Sequence, residues 1–245
     1  MEWRDEGIIL GARPHGENAA IVTLLTREHG SHAGLVRGGA GRRQRGTYQP
    51  GNEVLASWRA RLADHLGTFT CELTRPRTAR LLNDAERLAA VSAACALLQA
   101  SLPERLPYPR LFERLCDLLD ALEREDWLVH YVLWELSLLA ELGFGLDLSA
   151  CAATGRNDDL IYVSPRTGRA VSASAGAPFA AKLLVLPPFL AAHGRDPENP
   201  PDPVEPGDIR DGLALTGHFL AHHAFAALER GIPPARERLV VRISR

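Results

Sequence analysis

The stretch Arg37-Gly38-Gly39-Ala40-Gly41-Arg42-Arg43-Gln44-Arg45-Gly46 holds most of the chain's conspicuous chemistry, four arginines and four glycines in succession. Glycines let a backbone approach a polyanion closely, and guanidinium forks neutralise phosphates and release their counterions. No Gly-Lys-Ser/Thr closes the stretch, so it is not a phosphate cradle of the P-loop kind. It reads as a mobile loop leaving a strand, with Arg59 and Arg61 extending the charge across a neighbouring face. Most charge runs are simply solvated; the coupling of this one to a series of short strands favours nucleic acid. Stacking platforms are few. The front of the chain offers Trp3, Tyr48, Trp58 and Phe69, and alternation assigns Phe69 to a core. Tyr48, beside the basic loop, is the best stacking candidate, with a core or turn role equally open. Binding is expected to be electrostatic, sequence-tolerant and salt-sensitive.

Other chemistry-bearing residues point elsewhere or nowhere. His218 and His222 stand four apart with His223 beside them, a spacing at which two ligands can share a metal. The intervening Phe219-Leu220-Ala221 lacks the Glu of a metalloprotease and no third ligand is evident, so packed or solvated histidines are expected. Cys151-Ala152-Ala153-Thr154-Gly155 looks like a zinc knuckle without its second thiolate, and no other Cys or His occurs between 151 and 177. No zinc, no other metal and no cofactor are expected. Serines and cysteines occur without a Gly-x-Ser-x-Gly elbow or a recognisable His partner, and Asp158-Asp159 reads as a solvated loop. The expectation is a protein that is not an enzyme.

The elements that must position the basic loop are strands. Gly7-Ile8-Ile9-Leu10, Ala20–Leu25 and Gly34-Leu35-Val36 are short apolar runs between Gly, Pro, Asn and His clusters. In 53–61, Val54, Ala56, Trp58 and Ala60 share one face and Leu55, Ser57, Arg59 and Arg61 the other. In 68–74, Phe69, Cys71 and Leu73 oppose Thr68, Thr70, Glu72 and Thr74. Five short strands with no room for crossover helices fit a small closed antiparallel barrel of the OB type; an SH3-like barrel or an open meander also satisfies the pattern. From Asn83 the period becomes helical. Asn83 or Asp84 caps a first helix, Leu111, Leu115, Leu118 and Leu122 stripe a second, and Trp127 to Leu142 form a third, apolar nearly all round and so central. An irregular interlude over 148–177 contains one strand at 160–163. Another apolar segment runs from Phe179 to Leu190. A proline-rich connector then leads to a last helix from about Asp208 to Arg230, stopped at Gly231-Ile232-Pro233-Pro234.

With 245 residues, 46% hydrophobic and 24% charged, the chain has material for a packed core, which excludes general disorder. Apolar runs are too short to span a membrane, the charged N-terminus shows no signal peptide, and four scattered cysteines suit a reducing cytosol. The net charge of −2 hides an asymmetry, +4 over residues 1–80 and −6 over the rest. Lys182 is the only lysine. Genomic base composition explains the preference for Arg more simply than selection for forked phosphate contacts.

In order and spacing, several pieces resemble the RecO family of bacterial recombinational-repair mediators over essentially the whole length. These are Gly7-Ile8-Ile9-Leu10, Gly16-Glu17-Asn18, Leu25-Thr26-Arg27-Glu28-His29-Gly30, Val36-Arg37-Gly38-Gly39, Gln49-Pro50-Gly51, and Leu139-Ala140-Glu141-Leu142-Gly143-Phe144-Gly145 leading to Cys151. The resemblance implies a multidomain α+β chain. An N-terminal OB-fold β-barrel over 1–80 would be followed by an all-helical C-terminal domain over 81–245. The latter would carry a zinc-finger-like hairpin insert lacking zinc ligands at 148–177 and a Pro-rich loop at 191–207. It also implies binding of single- and double-stranded DNA, annealing of complementary strands, and cooperation with RecR in loading RecA onto DNA coated by single-stranded-DNA-binding protein. Such work takes place in the cytoplasm, at the nucleoid during repair. Arg37, Arg42, Arg43 and Arg45 are the DNA contacts it carries over; Arg59 and Arg61 come from strand alternation alone. Two departures stand out. Only Cys151 remains where some relatives have four zinc-binding cysteines, and Leu133 stands where relatives often carry a basic residue that helps hold the acidic tail of the single-stranded-DNA-binding protein. Arg110, Arg114 or Arg124 would have to supply that charge. A protein–protein adaptor with a merely solvated basic loop, or an RNA binder, are the competing readings.

Overall fold

The structure is a computed structural model that describes residues 1–42, 44–196 and 204–244. The chain divides into two compact units, Met1–Glu123 with Pro233–Arg242, and Arg124–Ile232 with the residues from Ile243 on.

Five strands open the first unit: β1 (Glu2–His15), β2 (Ala19–Thr26), β3 (Gly30–Val36), β4 (Glu53–Arg59) and β5 (Thr68–Arg75). β1 is long enough to serve two neighbours. Its first half pairs antiparallel with β4, from Glu2 opposite Arg59 to Ile8 opposite Glu53. Its second half pairs with β2, and the register shifts between Ile9 and Gly11. Such an irregularity bends a strand and strengthens its twist, which is how one strand turns from one partner to the next. The strand order is β1-β2-β3-β5-β4.

The expected all-antiparallel OB barrel is corrected at the β3–β5 seam. The sheet is mixed, and β3 meets β5 through one parallel pair, Leu35 with Thr68, in place of a ladder. Alternation fixes faces and not partners: β5, antiparallel to β4, meets β3 running the same way. The Leu35 N–H donates to the Gly67 carbonyl at 3.0 Å, and the Phe69 ring fills the space above Gly34, where an added Cβ would lie 2.4 Å from the ring. Ile9, Val22, Leu24, Val54, Trp58 and Phe69 form the core beneath the sheet; each such side chain contributes on the order of 2 kcal/mol of burial.

Three helices belong to the same unit: α1 (Ala85–Ser101), α2 (Pro109–Ala121) and, near the C-terminus, α7 (Pro234–Ile243). Asp84 caps α1 by accepting from the Glu86 and Arg87 N–H groups, as the sequence suggests. The last of the three, α7, lies beyond the Gly231-Ile232-Pro233-Pro234 stop and is not among the expected elements.

The second unit is built on α3 (Trp127–Glu141), which buries Tyr131, Val132, Trp134, Leu138 and Leu139. It packs with α6 (Pro206–Phe219), where Gly212 brings the backbone within 3.1 Å, measured from an added Cβ, of Phe189 and Val132. Glu135, fully buried on α3, accepts a 2.5 Å hydrogen bond from Thr216 Oγ1 on α6. The expectation of an all-helical domain with a hairpin insert is corrected here. β6 (Leu160–Val163), β7 (Ala170–Ser172) and β8 (Leu184–Val185) form a three-stranded sheet in the order β7-β6-β8, and β8 comes from outside 148–177. The expected helix from about Asp208 to Arg230 is present: α6 continues past Phe219 through a π-helical turn, Leu220–Phe225, and the chain stays helical to residue 227. Two short helices complete the unit, α4 (Ala173–Gly176) and α5 (Pro188–Arg195). The expected 191–207 loop begins inside α5, and its residues 197–203 lie outside the described residues. Among the described residues, no helix is long and apolar enough to cross a membrane.

Candidate nucleic-acid interface

The end of β3 delivers the chain into the basic segment, and Gly38 turns it with a φ of +73°, a region that glycine enters without strain. The segment is not the free loop that its composition suggests. The Gly41 N–H donates to the Gly38 carbonyl at 3.0 Å, Gln44 N–H to Gly41 at 3.0 Å and Thr47 N–H to Gln44 at 3.0 Å, a succession of tight turns. Buried Asn52 fastens it from below, its Nδ2 donating to the Gly46 carbonyl at 2.8 Å and the Thr47 carbonyl at 3.3 Å. Its Oδ1 accepts from both the N–H and the hydroxyl of Thr78.

Arg37, Arg42 and Arg45 are exposed. None of them forms an ion pair within the described residues. Arg43 lies outside the described residues. A groove of about 480 Å³ carries Arg37, Gln44, Ser57, Arg59, Thr68 and Thr70 on its walls, and Arg42 and Arg45 are not among the residues that line it. The basic loop supplies one wall and the outward face of β4 and β5 the other, with Ser57 opposite Thr70 and Arg59 opposite Thr68 in the ladder. The structure therefore brings Arg37 and Arg59 together. Arg61 is exposed on the following loop and does not line the groove. That loop is held firmly, because Arg105 donates to the carbonyls of Ala63, Asp64 and His65, and Trp58 Nε1 donates to Leu66.

The floor of the groove is neutral. Tyr48, a candidate stacking ring, is instead buried in the core cluster with Trp58 and Phe69. Burial pushes the Tyr48 hydroxyl well above its ordinary value and lifts the Cys71 thiol to about 12. Neither group carries charge near neutral pH, and the rings are covered, so bases have no exposed aromatic platform here. Phosphate contact and hydrogen bonding are what the walls offer. Alternation had already placed Ser57, Arg59, Thr68 and Thr70 on outward faces; it could not show that the two faces adjoin. Gln44, Asn52 and the carboxylate of Glu2, which also lines the groove, gave no signal of their own.

Behind the groove, buried His32 sits in an aromatic box, edge-on to Trp58 at 4.8 Å and to Trp3 at 5.1 Å. Burial, with Arg105 and His29 nearby, lowers its pKa from 6.5 to about 4. The ring is thus neutral under physiological conditions and behaves as part of the core.

In the second unit, His218 and His222 stack at 4.5 Å and the His223 ring nitrogen lies 2.9 Å from the Pro165 carbonyl. No group of three or more His, Cys, Asp or Glu among the described residues is placed to hold a metal ion. Burial acts to raise the Cys151 pKa, but hydrogen bonds from Ser172 and Thr154 outweigh it and bring the thiol down to about 6. The Ser172 N–H to Sγ distance is 3.3 Å, so backbone and hydroxyl donors hold this sulfur. Leu133 is half-buried on α3, while Arg124 is engaged by Asp126 at 2.8 Å and Arg114 by Asp117 at 4.0 Å.

Comparison with known proteins adds to this geometry. Residues 1–77 match the family model "Recombination protein O N terminal", and residues 82–230 match "Recombination protein O C terminal". A "DNA repair protein RecO" from Rhodospirillum centenum is 55% identical over 99% of this chain and 94% of its own length. Those of Rhodospirillum rubrum and a Jannaschia species are each 49% identical, over all of this chain and 97% of their own lengths.

Proposed function

Because the chain belongs to the RecO family of DNA-repair proteins, we propose that the groove lined by Arg37 and Arg59, together with Arg42 and Arg45 on the loop that carries Arg37, is where this repair and recombination mediator takes hold of DNA. The observation that carries the reading is exposed Arg37, with no ion pair among the described residues, lining a groove with Gln44, Ser57, Thr68 and Thr70, and Arg42 and Arg45 equally exposed and unpaired on the same loop. Guanidinium groups neutralise backbone phosphates, and the neutral polar walls hydrogen-bond sugar and phosphate without selecting a base. A surface that cancels phosphate charge also lowers the repulsion between two complementary strands, which is what annealing requires. The work is binding and not catalysis. Single- and double-stranded DNA are the substrates. RecR and the acidic tail of single-stranded-DNA-binding protein are the partners through which RecA is loaded, and the setting is the cytoplasm and its nucleoid.

The test is annealing of two complementary labelled oligonucleotides followed by energy transfer, with and without the protein. Wild type accelerates annealing and the Arg42/Arg43/Arg45→Glu variant does not, while both retain the same circular dichroism. Acceleration by the variant equal to wild type overturns the role of the loop. Preferential loss of binding to an equal length of RNA competitor moves the reading to RNA.

A further inference from the structure

The groove contains its own competitor for phosphate. Glu2 and Arg59 face each other across the β1–β4 ladder, and Arg59 donates to Glu2 Oε2 from Nε at 3.2 Å and from Nη2 at 2.9 Å. That is the edge of a guanidinium by which it forks onto a phosphate. Glu2 is the one carboxylate among the described residues lining the groove. Both side chains are largely exposed, and a pair so open to water contributes about 0–1 kcal/mol to folding. The contact is therefore not needed to hold the sheet, which rests on the ladder itself and on buried Trp58 and Phe69. It does occupy the only described arginine on the strand wall of the groove, whereas Arg37 on the loop wall has no ion pair.

We propose that Glu2 sets the affinity of the groove by standing in for phosphate at Arg59, so that an incoming strand must displace it. The inference rests on the DNA-binding reading above. A strand phosphate reaching Arg59 must break the ion pair, so the gain from that contact is offset by the pair lost. Added salt weakens the strand contacts and the internal pair alike, which makes the salt dependence of wild type shallower than its arginines alone would give.

The experiment is fluorescence anisotropy of a labelled oligothymidylate across a salt series, with wild type, Glu2→Gln, Arg59→Gln, the double variant and Glu72→Gln. The last removes the same charge from a pair with Arg4, 3.8 Å apart, outside the groove-lining residues. Glu2→Gln is expected to bind about fivefold more tightly at low salt, with a log–log slope steeper by about 0.7, the increment for one more single-strand phosphate contact. Glu72→Gln shows no comparable gain, and in the Arg59→Gln background Glu2→Gln gains nothing. Equal affinity of wild type and Glu2→Gln overturns the proposal while leaving the DNA reading in place, and so does a gain that persists without Arg59. If neither protein binds, the DNA reading falls and the role of Glu2 falls with it. Urea unfolding of each variant, expected to match wild type, shows that the differences arise in binding.

Discussion

Two groups of arginines in the same unit behave oppositely. Arg77, buried in the 3-10 turn Arg77–Leu81 after β5, is saturated: Nε donates to Glu53 at 2.6 Å, Nη1 to Asp120 at 2.6 Å, and Arg75 adds a further contact to Asp120 at 2.8 Å. Burial acts to lower the Arg77 pKa, but the two carboxylates outweigh it; in return Asp120 is held below the usual carboxylate range by its hydrogen bonds from Arg77. Arg37, Arg42 and Arg45 are exposed and have no such acids among the described residues. The residue type is the same, so chemistry alone does not distinguish structural from binding arginines. What distinguishes them is whether the fold has already supplied the anion. Arg59 is intermediate, exposed yet paired to Glu2.

This contrast predicts which changes affect stability and which affect binding. The largest stability effect is expected from Arg77→Ala, which strands Glu53 and Asp120. Breaking a buried pair costs about 3 kcal/mol, the lower end of the usual range because Asp120 can rehydrate, and urea unfolding measures it. Asn52→Ala comes next, at about 2 kcal/mol for the buried partners left unmade. Asn52 connects the two regions, since one end of its amide holds Gly46 and Thr47 and the other holds Thr78, next to Arg77. This variant is therefore expected to lose DNA affinity as well, through a loosened loop, and anisotropy on the folded protein reads that loss.

The pH dependence separates the two regions from the interior histidine. His32 is neutral in the fold down to about 4, whereas the unfolded chain takes up the proton near 6.5. The unfolded state then binds more protons, so stability is lost as pH falls from about 6.5 to about 4. His32→Leu flattens that segment of a stability–pH curve. Below it, protonation of Asp120 removes the stability that its ion pairs supply above the ordinary carboxylate value, so wild type and His32→Leu continue to decline together. The smallest effect belongs to Arg61→Gln, which sits off the groove and is expected to change single-strand affinity by less than about twofold. A loss as large as that of Arg42→Gln would mean that the binding surface extends over the loop held by Arg105.

Local pattern carried much of this. The inward face of β4 was legible from Val54, Ala56 and Trp58, all buried, and the N-cap of α1 was narrowed to Asn83 or Asp84, of which Asp84 is the cap. The β5 alternation held for Phe69 and Cys71 but failed at Leu73, which is exposed near the strand end. Pairing was not legible, because register depends on residues far apart in sequence. Glu2 and Arg59 are separated by 57 positions and Arg77 and Asp120 by 43. For the same reason the parallel β3–β5 seam and the sheet strand β8 could not be anticipated, since alternation fixes faces and not partners. Tyr48 illustrates the limit from the other side: an aromatic next to a basic run suits base stacking equally well until its burial is known. The C-terminal helix α7 was hidden by the Pro233-Pro234 stop and by having only Leu239 as a fully buried apolar anchor. Of the site, the arginine loop and Arg59 were readable; the partners that leave one free and the other occupied were not.

The decisive measurement is the salt dependence of single-strand affinity, by anisotropy, for wild type and Arg42/Arg45→Gln side by side. Two lost phosphate contacts should flatten the log–log slope by about 1.4, with an unchanged urea midpoint. Parallel lines for the two proteins would contradict the assignment of these unpaired arginines to DNA.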